Sequence, residues 1–124
     1  MKRPILLIID DEPDIRSLYT SIINRNFDFD IIQAESLESA KNILGEVQPD
    51  YVVLDLHLKD GNGFDLIPAL KKVNKKVKFL IVTAFNHCKE KQKASEFGAV
   101  GLLSKPFETA NFVEYITAMH KSEE

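Results

Sequence analysis

The run Ile5-Leu6-Leu7-Ile8-Ile9-Asp10-Asp11 carries the main clue to the architecture. A short apolar run rich in Ile and Leu reads as a strand buried on both faces, and this one ends abruptly in two carboxylates. Three more runs share the form. Tyr51-Val52-Val53-Leu54 runs into Asp55, Phe79-Leu80-Ile81-Val82 into Thr83, and Val100-Gly101-Leu102-Leu103 through Ser104 into Lys105-Pro106. Open parallel sheets bind ligands just outside the carboxyl ends of their strands. Three carboxylates, a hydroxyl and an ammonium would then collect along one edge, a set suited to a divalent cation and a phosphoryl group.

Helical periodicity fills the gaps between the runs, which argues for an α/β fold. Strand one is expected over Pro4–Ile9. Helix one starts near Pro13, a favourable early-helix residue, with Asp11 or Glu12 as the candidate cap. Its apolar positions Ile15, Leu18, Tyr19, Ile22 and Ile23 keep one face. Strand two is expected over Asp30–Ala34 and helix two from Ser36, with Leu37, Ala40, Leu44 and Val47 on one side. Strand three is Tyr51–Leu54. The segment from Asp55 to Gly63 carries Asp-Gly and Asn-Gly pairs and reads as a loop. Helix three follows over Phe64–Val73, strand four over Val77–Val82, and a weakly apolar helix four over Cys88–Phe97, ended by Gly98. Strand five is Val100–Leu103, and helix five follows Pro106 with Phe112, Val113, Ile116 and Met119 inward. The pattern is (βα)5. Right-handed crossovers then favour a doubly wound five-stranded parallel sheet in the order 2-1-3-4-5, with strands one and three adjacent, so that Asp10, Asp11 and Asp55 meet.

The chain has 124 residues, which is one domain's worth, so residues 1–124 are expected to form a single unit. Its hydrophobic share of 44% and charged share of 28% are ordinary globular values. A net charge of −3 selects no partner class. Lys71, Lys72, Lys75, Lys76, Lys78, Lys89, Lys91 and Lys93 make up half of the 16 basic residues. Without interleaved Arg or aromatic residues they read as a solvated surface, and direct nucleic-acid binding is not expected. A lone cysteine, Cys88, cannot form an internal disulfide and fits a reducing, cytoplasmic setting. No apolar stretch approaches the ~20 residues of a membrane span. The run after Met1-Lys2-Arg3-Pro4 stops at Asp10, too soon for a signal peptide.

Converging carboxylates repel unless a cation intervenes. Hard oxygen ligands suit Mg²⁺, which binds through one or two carboxylates plus phosphate; Mn²⁺ accepts the same donors. A carboxylate is also a competent nucleophile toward phosphorus. Phosphoryl transfer chiefly needs positioning and charge neutralisation, which a metal, the Lys105 ammonium and the Thr83 hydroxyl can supply. Taken singly, each residue has an ordinary use. Asp10-Asp11 could open a loop and cap a helix, Asp55 could make an Asx turn, Thr83 could be a strand residue and Lys105 a surface lysine. Their joint position at the ends of different strands gives the set its meaning. His57, His87, His120 and Cys88 lack metal-ligand spacing.

The chain resembles the receiver domain of two-component response regulators over nearly its full length. The resemblance rests on Leu7-Ile8-Ile9-Asp10-Asp11-Glu12, Asp50-Tyr-Val-Val-Leu-Asp55-Leu, Asp60-Gly-Asn-Gly63-Phe-Asp-Leu, Ile81-Val82-Thr83-Ala84 and Gly98-Ala-Val-Gly-Leu-Leu-Ser-Lys105-Pro106-Phe107. It implies the flavodoxin-like receiver fold. It implies a signalling switch rather than a turnover enzyme, with Asp55 accepting a phosphoryl group from a sensor histidine kinase or a histidine phosphotransfer protein. Asp11, Asp55 and the His57 backbone carbonyl would hold Mg²⁺, with Asp10 assisting through water. Thr83, Ala84 and Lys105 would attend the phosphoryl oxygens, and Lys105-Pro106 would be a cis peptide. Phosphorylation would alter the surface of helix four, strand five and helix five toward an output partner or a fused output domain, and a phosphorylation-dependent homodimer is compatible with this.

Two positions depart from the family's usual pattern. Leu102 stands where an aromatic ring is common, three residues before the lysine, which puts output coupling through that position in question. Lys59 stands where proline is common. His57 and Phe85 lie two residues after Asp55 and Thr83 and are expected to flank the phosphoryl group, with Phe85 hindering attacking water and tuning its lifetime. The rival readings are weaker. A small Mg²⁺-dependent phosphatase with an Asp nucleophile usually needs a second Asp two residues on, where this chain has His57. A flavin carrier would meet phosphate repulsion from Asp10-Asp11-Glu12. A receiver-like domain that takes no phosphate and acts by protein contact is the nearer alternative.

Overall fold

Alternation along the apolar runs divides the interior into two cores. The computed structural model describes residues 3–84 and 88–121. In chain order the main elements are β1 (Ile5–Ile9), α1 (Pro13–Asn26), β2 (Asp30–Ala34), α2 (Leu37–Leu44), β3 (Tyr51–Leu54), α3 (Ile67–Val73), β4 (Lys78–Thr83), α4 (Cys88–Phe97), β5 (Gly101–Ser104) and α5 (Thr109–Lys121). The five strands pair in parallel in the order β2-β1-β3-β4-β5. Leu7 faces Ile32 on one side and Val52 on the other, so β1 is central.

Side chains along a strand point to opposite faces in turn. Leu7, Ile9, Val52, Leu54, Phe79 and Ile81 face α2, α3 and α4, where they meet Leu37, Ala40, Leu44, Ile67, Leu70 and Ala94. Leu6, Ile8, Tyr51, Val53, Leu80 and Val82 face α1 and α5, where they meet Tyr19, Ile22, Ile23, Phe112, Ile116 and Met119. Truncating any of the large central residues to Ala would cost about 2–5 kcal/mol, because a cavity adds to the lost transfer energy.

Element types and strand order agree with the sequence reading, and the differences are local. The helix-one stripe includes Leu18, yet Leu18 is 43% exposed, because it lies at the edge of an apolar face that is filled by Tyr19, Ile22 and Ile23. Neither Asp11 nor Glu12 caps α1 with its side chain; Glu12 holds the N-cap position without a side-chain bond. The Asp10 carboxylate instead accepts from the Glu12 amide at 2.9 Å. Ser36 is the N-cap of α2 rather than its first residue, and its hydroxyl accepts from the Ser39 amide at 3.0 Å. Helix three begins with a 3₁₀ turn over Gly63–Leu66 before α3 proper. Within the expected loop, His57–Leu58 pairs with Gly61–Asn62 as a short antiparallel hairpin. Strands β4 and β5 each lie one residue later than expected, so Thr83 is the last residue of its strand. α4 ends as expected at Gly98, whose φ of +86° suits glycine, with the Ala99 and Gly98 amides bonded back to Ala94 and Ser95 carbonyls.

Candidate functional site

The strand ends fix the backbone of every polar residue the sequence singled out on them. The Asp10 amide donates to the Ala34 carbonyl at 3.1 Å, the Asp55 amide to Ile9 at 3.0 Å, and the Lys105 amide to Thr83 at 2.9 Å. Each side chain therefore starts from a peptide locked into the sheet. Asp10 and Thr83 are fully buried and Asp55 is nearly so.

Asp10, Asp11 and Asp55 each offer a carboxylate oxygen, and these atoms all lie within 4.8 Å of one another. The Lys105 ammonium closes the cluster, donating to Asp10 Oδ2 at 2.7 Å and to Asp55 Oδ2 at 3.2 Å. The Asp55 Oδ1 atom accepts from the His57 amide at 3.2 Å, which brings the His57 peptide to the cluster while the imidazole lies in an exposed residue. Burial pushes the Asp55 carboxyl above the usual carboxylate range, opposed by the Lys105 charge and reinforced by Asp10. Burial also disfavours the Lys105 ammonium, but its hydrogen bond to Asp10 and the charges of Asp55 and Asp10 outweigh this and raise its pKa. The ion pair thus favours the charged form of Lys105, while at Asp55 burial outweighs it. Such a cluster can take up a divalent cation and retain a cationic donor for an incoming anion.

The remaining expected residues fall into place unevenly. Ala84 is exposed directly after Thr83. The Lys105-Pro106 peptide is cis. Leu102 is half-buried against the core on the α4 side. The Lys59 ammonium pairs with Glu35 at 3.8 Å, both side chains mostly exposed, rather than with the acid cluster. Phe85 lies outside the described residues, and so does His87.

Two contributors went unread in the sequence. Arg16 donates to the Asp10 carbonyl at 2.7 Å and to Gln33 at 3.1 Å, tying α1 to the end of β1. Asp60 reaches across to α2, accepting from the Leu37 and Glu38 amides at 2.9 and 3.0 Å. Asp60-Gly61 signalled a turn, but nothing local to it indicated a helix cap for another element. Gly63 passes so close to the Asp55 carbonyl that a Cβ there would collide with it. No described helix is long and apolar enough to cross a membrane.

The fold and this cluster can be set beside known proteins. The photosynthetic apparatus regulatory protein RegA of Cereibacter sphaeroides is 30% identical over 120 residues, covering 97% of this chain and 64% of its own. The phosphate regulon transcriptional regulatory protein PhoB of Escherichia coli is 30% identical over 116 residues, covering 92% of this chain and 50% of its own. The chain thus spans about half to two thirds of the length of these relatives. Among solved structures, the non-phosphorylated HemR receiver domain of Leptospira biflexa superposes with a TM-score of 0.85 at 29% identity, covering 94% of each chain. The receiver domain of a LuxO-type repressor from Vibrio parahaemolyticus, at 22% identity and a TM-score of 0.89 over 98% of this chain and 92% of its own, shares the fold. The family model described as the response regulator receiver domain matches residues 6–117, and the chain belongs to that family.

Proposed function

We propose that this receiver domain is a phosphoryl-accepting switch whose acceptor is Asp55. The carrying observation is the Lys105 ammonium held between Asp10 and Asp55, beside a third carboxylate from Asp11. One buried nucleophile, one cation and a set of hard oxygen donors share a single strand-end edge, which is what transfer to a carboxylate requires.

The donor set fits Mg²⁺, with Mn²⁺ as a substitute. Asp11, Asp55 and the His57 carbonyl would hold the ion and Asp10 would assist through water. When bound, it supplies charge neutralisation between the carboxylates and the phosphoryl oxygens. An Asp55 carboxylate oxygen attacks the phosphorus of a phosphohistidine on a sensor histidine kinase or a histidine phosphotransfer protein. The new O–P bond forms as the P–N bond breaks, and the electron pair leaves with the imidazole. Lys105 then turns from Asp10 toward the phosphoryl oxygens, joined by the Thr83 hydroxyl and the Ala84 peptide.

The output surface in this reading is that of α4, β5 and α5, toward a separate partner, a fused output domain or a second copy. Leu102 lines a groove of about 370 Å³ there with Ala94, Ala99, Gly101 and Tyr115. An aliphatic side chain at 102 has less area to bury than a ring, so the coupling runs through packing alone.

The test is intact mass after incubation with Mg²⁺ and acetyl phosphate, for the wild type and Asp55→Asn. A gain of one phosphoryl mass that requires Mg²⁺ and is lost in the variant supports the reading. No gain, together with no binding of beryllofluoride, a stable mimic of the phosphoryl group, rejects it in favour of a receiver that acts by contact alone.

A further inference from the structure

Among the described residues, the Tyr19 hydroxyl is the one buried side-chain polar atom without a hydrogen-bond partner. Tyr19 is 1% exposed, so bulk solvent does not reach it. Leaving a phenol in this state is costly, and a leucine or phenylalanine would fill a core position on α1 without that penalty.

The ring is held on the site's side of the α1–α5 core. It stacks on Phe107 with centroids 5.7 Å apart and on Phe112 at 5.0 Å, and Phe107 packs in turn on Phe112 at 5.5 Å. Phe107 lies two residues after Lys105, so Tyr19 packs against the loop that carries the site's ammonium. Burial first, and then the charges of Asp10, Asp55 and Glu12, push the phenol's pKa up, so it stays protonated. A protonated phenol can donate, and the carboxylates of the site are acceptors.

Asp10 Oδ2 is served by Lys105 at 2.7 Å, while Asp10 Oδ1 is served by the Glu12 amide. A phosphoryl group on Asp55 brings further anionic oxygens that compete for Lys105. Asp10 then gives up a charge-assisted bond inside a buried site, and the idle buried donor is Tyr19.

We propose that Tyr19 is a positioning residue for phosphoryl binding: its hydroxyl, unpartnered in the resting protein, takes over as donor to the Asp10 side of the cluster, directly or through one water, when Lys105 moves to the phosphoryl group. The proposal rests on the phosphoacceptor reading of Asp55 and deepens it. The phenol keeps its proton throughout, so no group is oxidised, reduced or transferred.

The experiment compares thermal melts and beryllofluoride titrations, both with Mg²⁺, for the wild type and Tyr19→Phe. The phenylalanine keeps the ring stack and removes only the oxygen. The unloaded variant is expected to melt at or above the wild type, because an orphaned group has gone. With beryllofluoride it is expected to gain less than the wild type, with an affinity about tenfold weaker, as for one hydrogen bond to a charged acceptor. A merely structural hydroxyl shifts both melts equally and leaves the affinity unchanged, and that result overturns the proposal while sparing Asp55. If the wild type itself gains nothing from beryllofluoride, both readings fall together.

Discussion

The Asp60 carboxylate lies 2.9 Å from the Leu37 amide nitrogen, so the segment that leaves Asp55 also caps α2. Its second oxygen takes the Glu38 amide at 3.0 Å, and these two bonds hold the Asp60 pKa below the usual carboxylate range. A lowered carboxyl pKa contributes stability that is present above the unfolded value and lost as pH falls through the folded one. Asp60→Ala is therefore expected to lower Tm at neutral pH, with the gap from wild type closing from about pH 4 downward. Melts at a series of pH values check this, and a gap that is flat with pH would assign the loss to packing instead.

Removing Lys105 should expose the strain it relieves. Its side chain is 14% exposed and neutralises two buried carboxylates. Lys105→Met is expected to cost about 3 kcal/mol at pH 7, the scale for breaking a buried ion pair from one side. Because the folded-state pKa of Lys105 is raised, its contribution is complete below the ordinary lysine value of about 10.4 and fades only above it. Chemical denaturation at pH 7 with and without Mg²⁺ gives the check. Added Mg²⁺ should restore part of the loss in the variant, and equal Mg²⁺ effects on both proteins would contradict the shared-charge picture.

Asp55→Asn should behave in the opposite sense in the absence of metal. The Asp55 pKa is raised by burial, so its carboxylate opposes folding at neutral pH. That opposition disappears as pH falls below the unfolded value, where both states are protonated. Asparagine removes the charge, and Tm of the metal-free variant is expected to rise by a few degrees at pH 7 and to match wild type near pH 3. Calorimetry in a chelating buffer at the two pH values distinguishes this from a variant destabilised throughout.

Gly101 carries the ring of Tyr115 against its backbone, closely enough that a Cβ would strike it. Gly101→Ala is expected to cost about 1–3 kcal/mol through displacement of that ring, the usual scale of overpacking. The cost should shrink in the Tyr115→Ala background, since the colliding atoms are then absent. A double-mutant cycle by urea unfolding measures the coupling, and additivity would assign the cost to the strand rather than the ring.

The sheet was legible because its strands are buried on both faces and read as unbroken apolar runs, and because the alternating helices leave few arrangements for parallel strands. The site was legible because each of its polar members ends such a run. What escaped reading has a common physical origin. Asp60 bonds to amides more than twenty positions away in sequence, Arg16 turns back onto the Asp10 carbonyl, and Asp10 rather than Asp11 or Glu12 bonds the amide at the entry to α1. These are side-chain to backbone bonds decided by where the fold brings the peptides, and they leave no periodicity to detect. Leu18 departs from the stripe for a related reason: a helical stripe has an edge, and packing decides where it runs.

α4 buries only Ala94, yet its last residue is gripped twice. The Lys71 ammonium donates to the Phe97 carbonyl at 2.6 Å, and the Phe97 ring stacks on Phe64 at 5.5 Å. Both fastenings sit at the same end, the one away from Thr83. With its fastenings gathered toward that end, the helix is expected to yield first at the turns near Thr83. Cutting the tether with Lys71→Ala should speed amide exchange at the far turns of α4 as well as at its root, which would make a residue on the neighbouring helix a brake on α4.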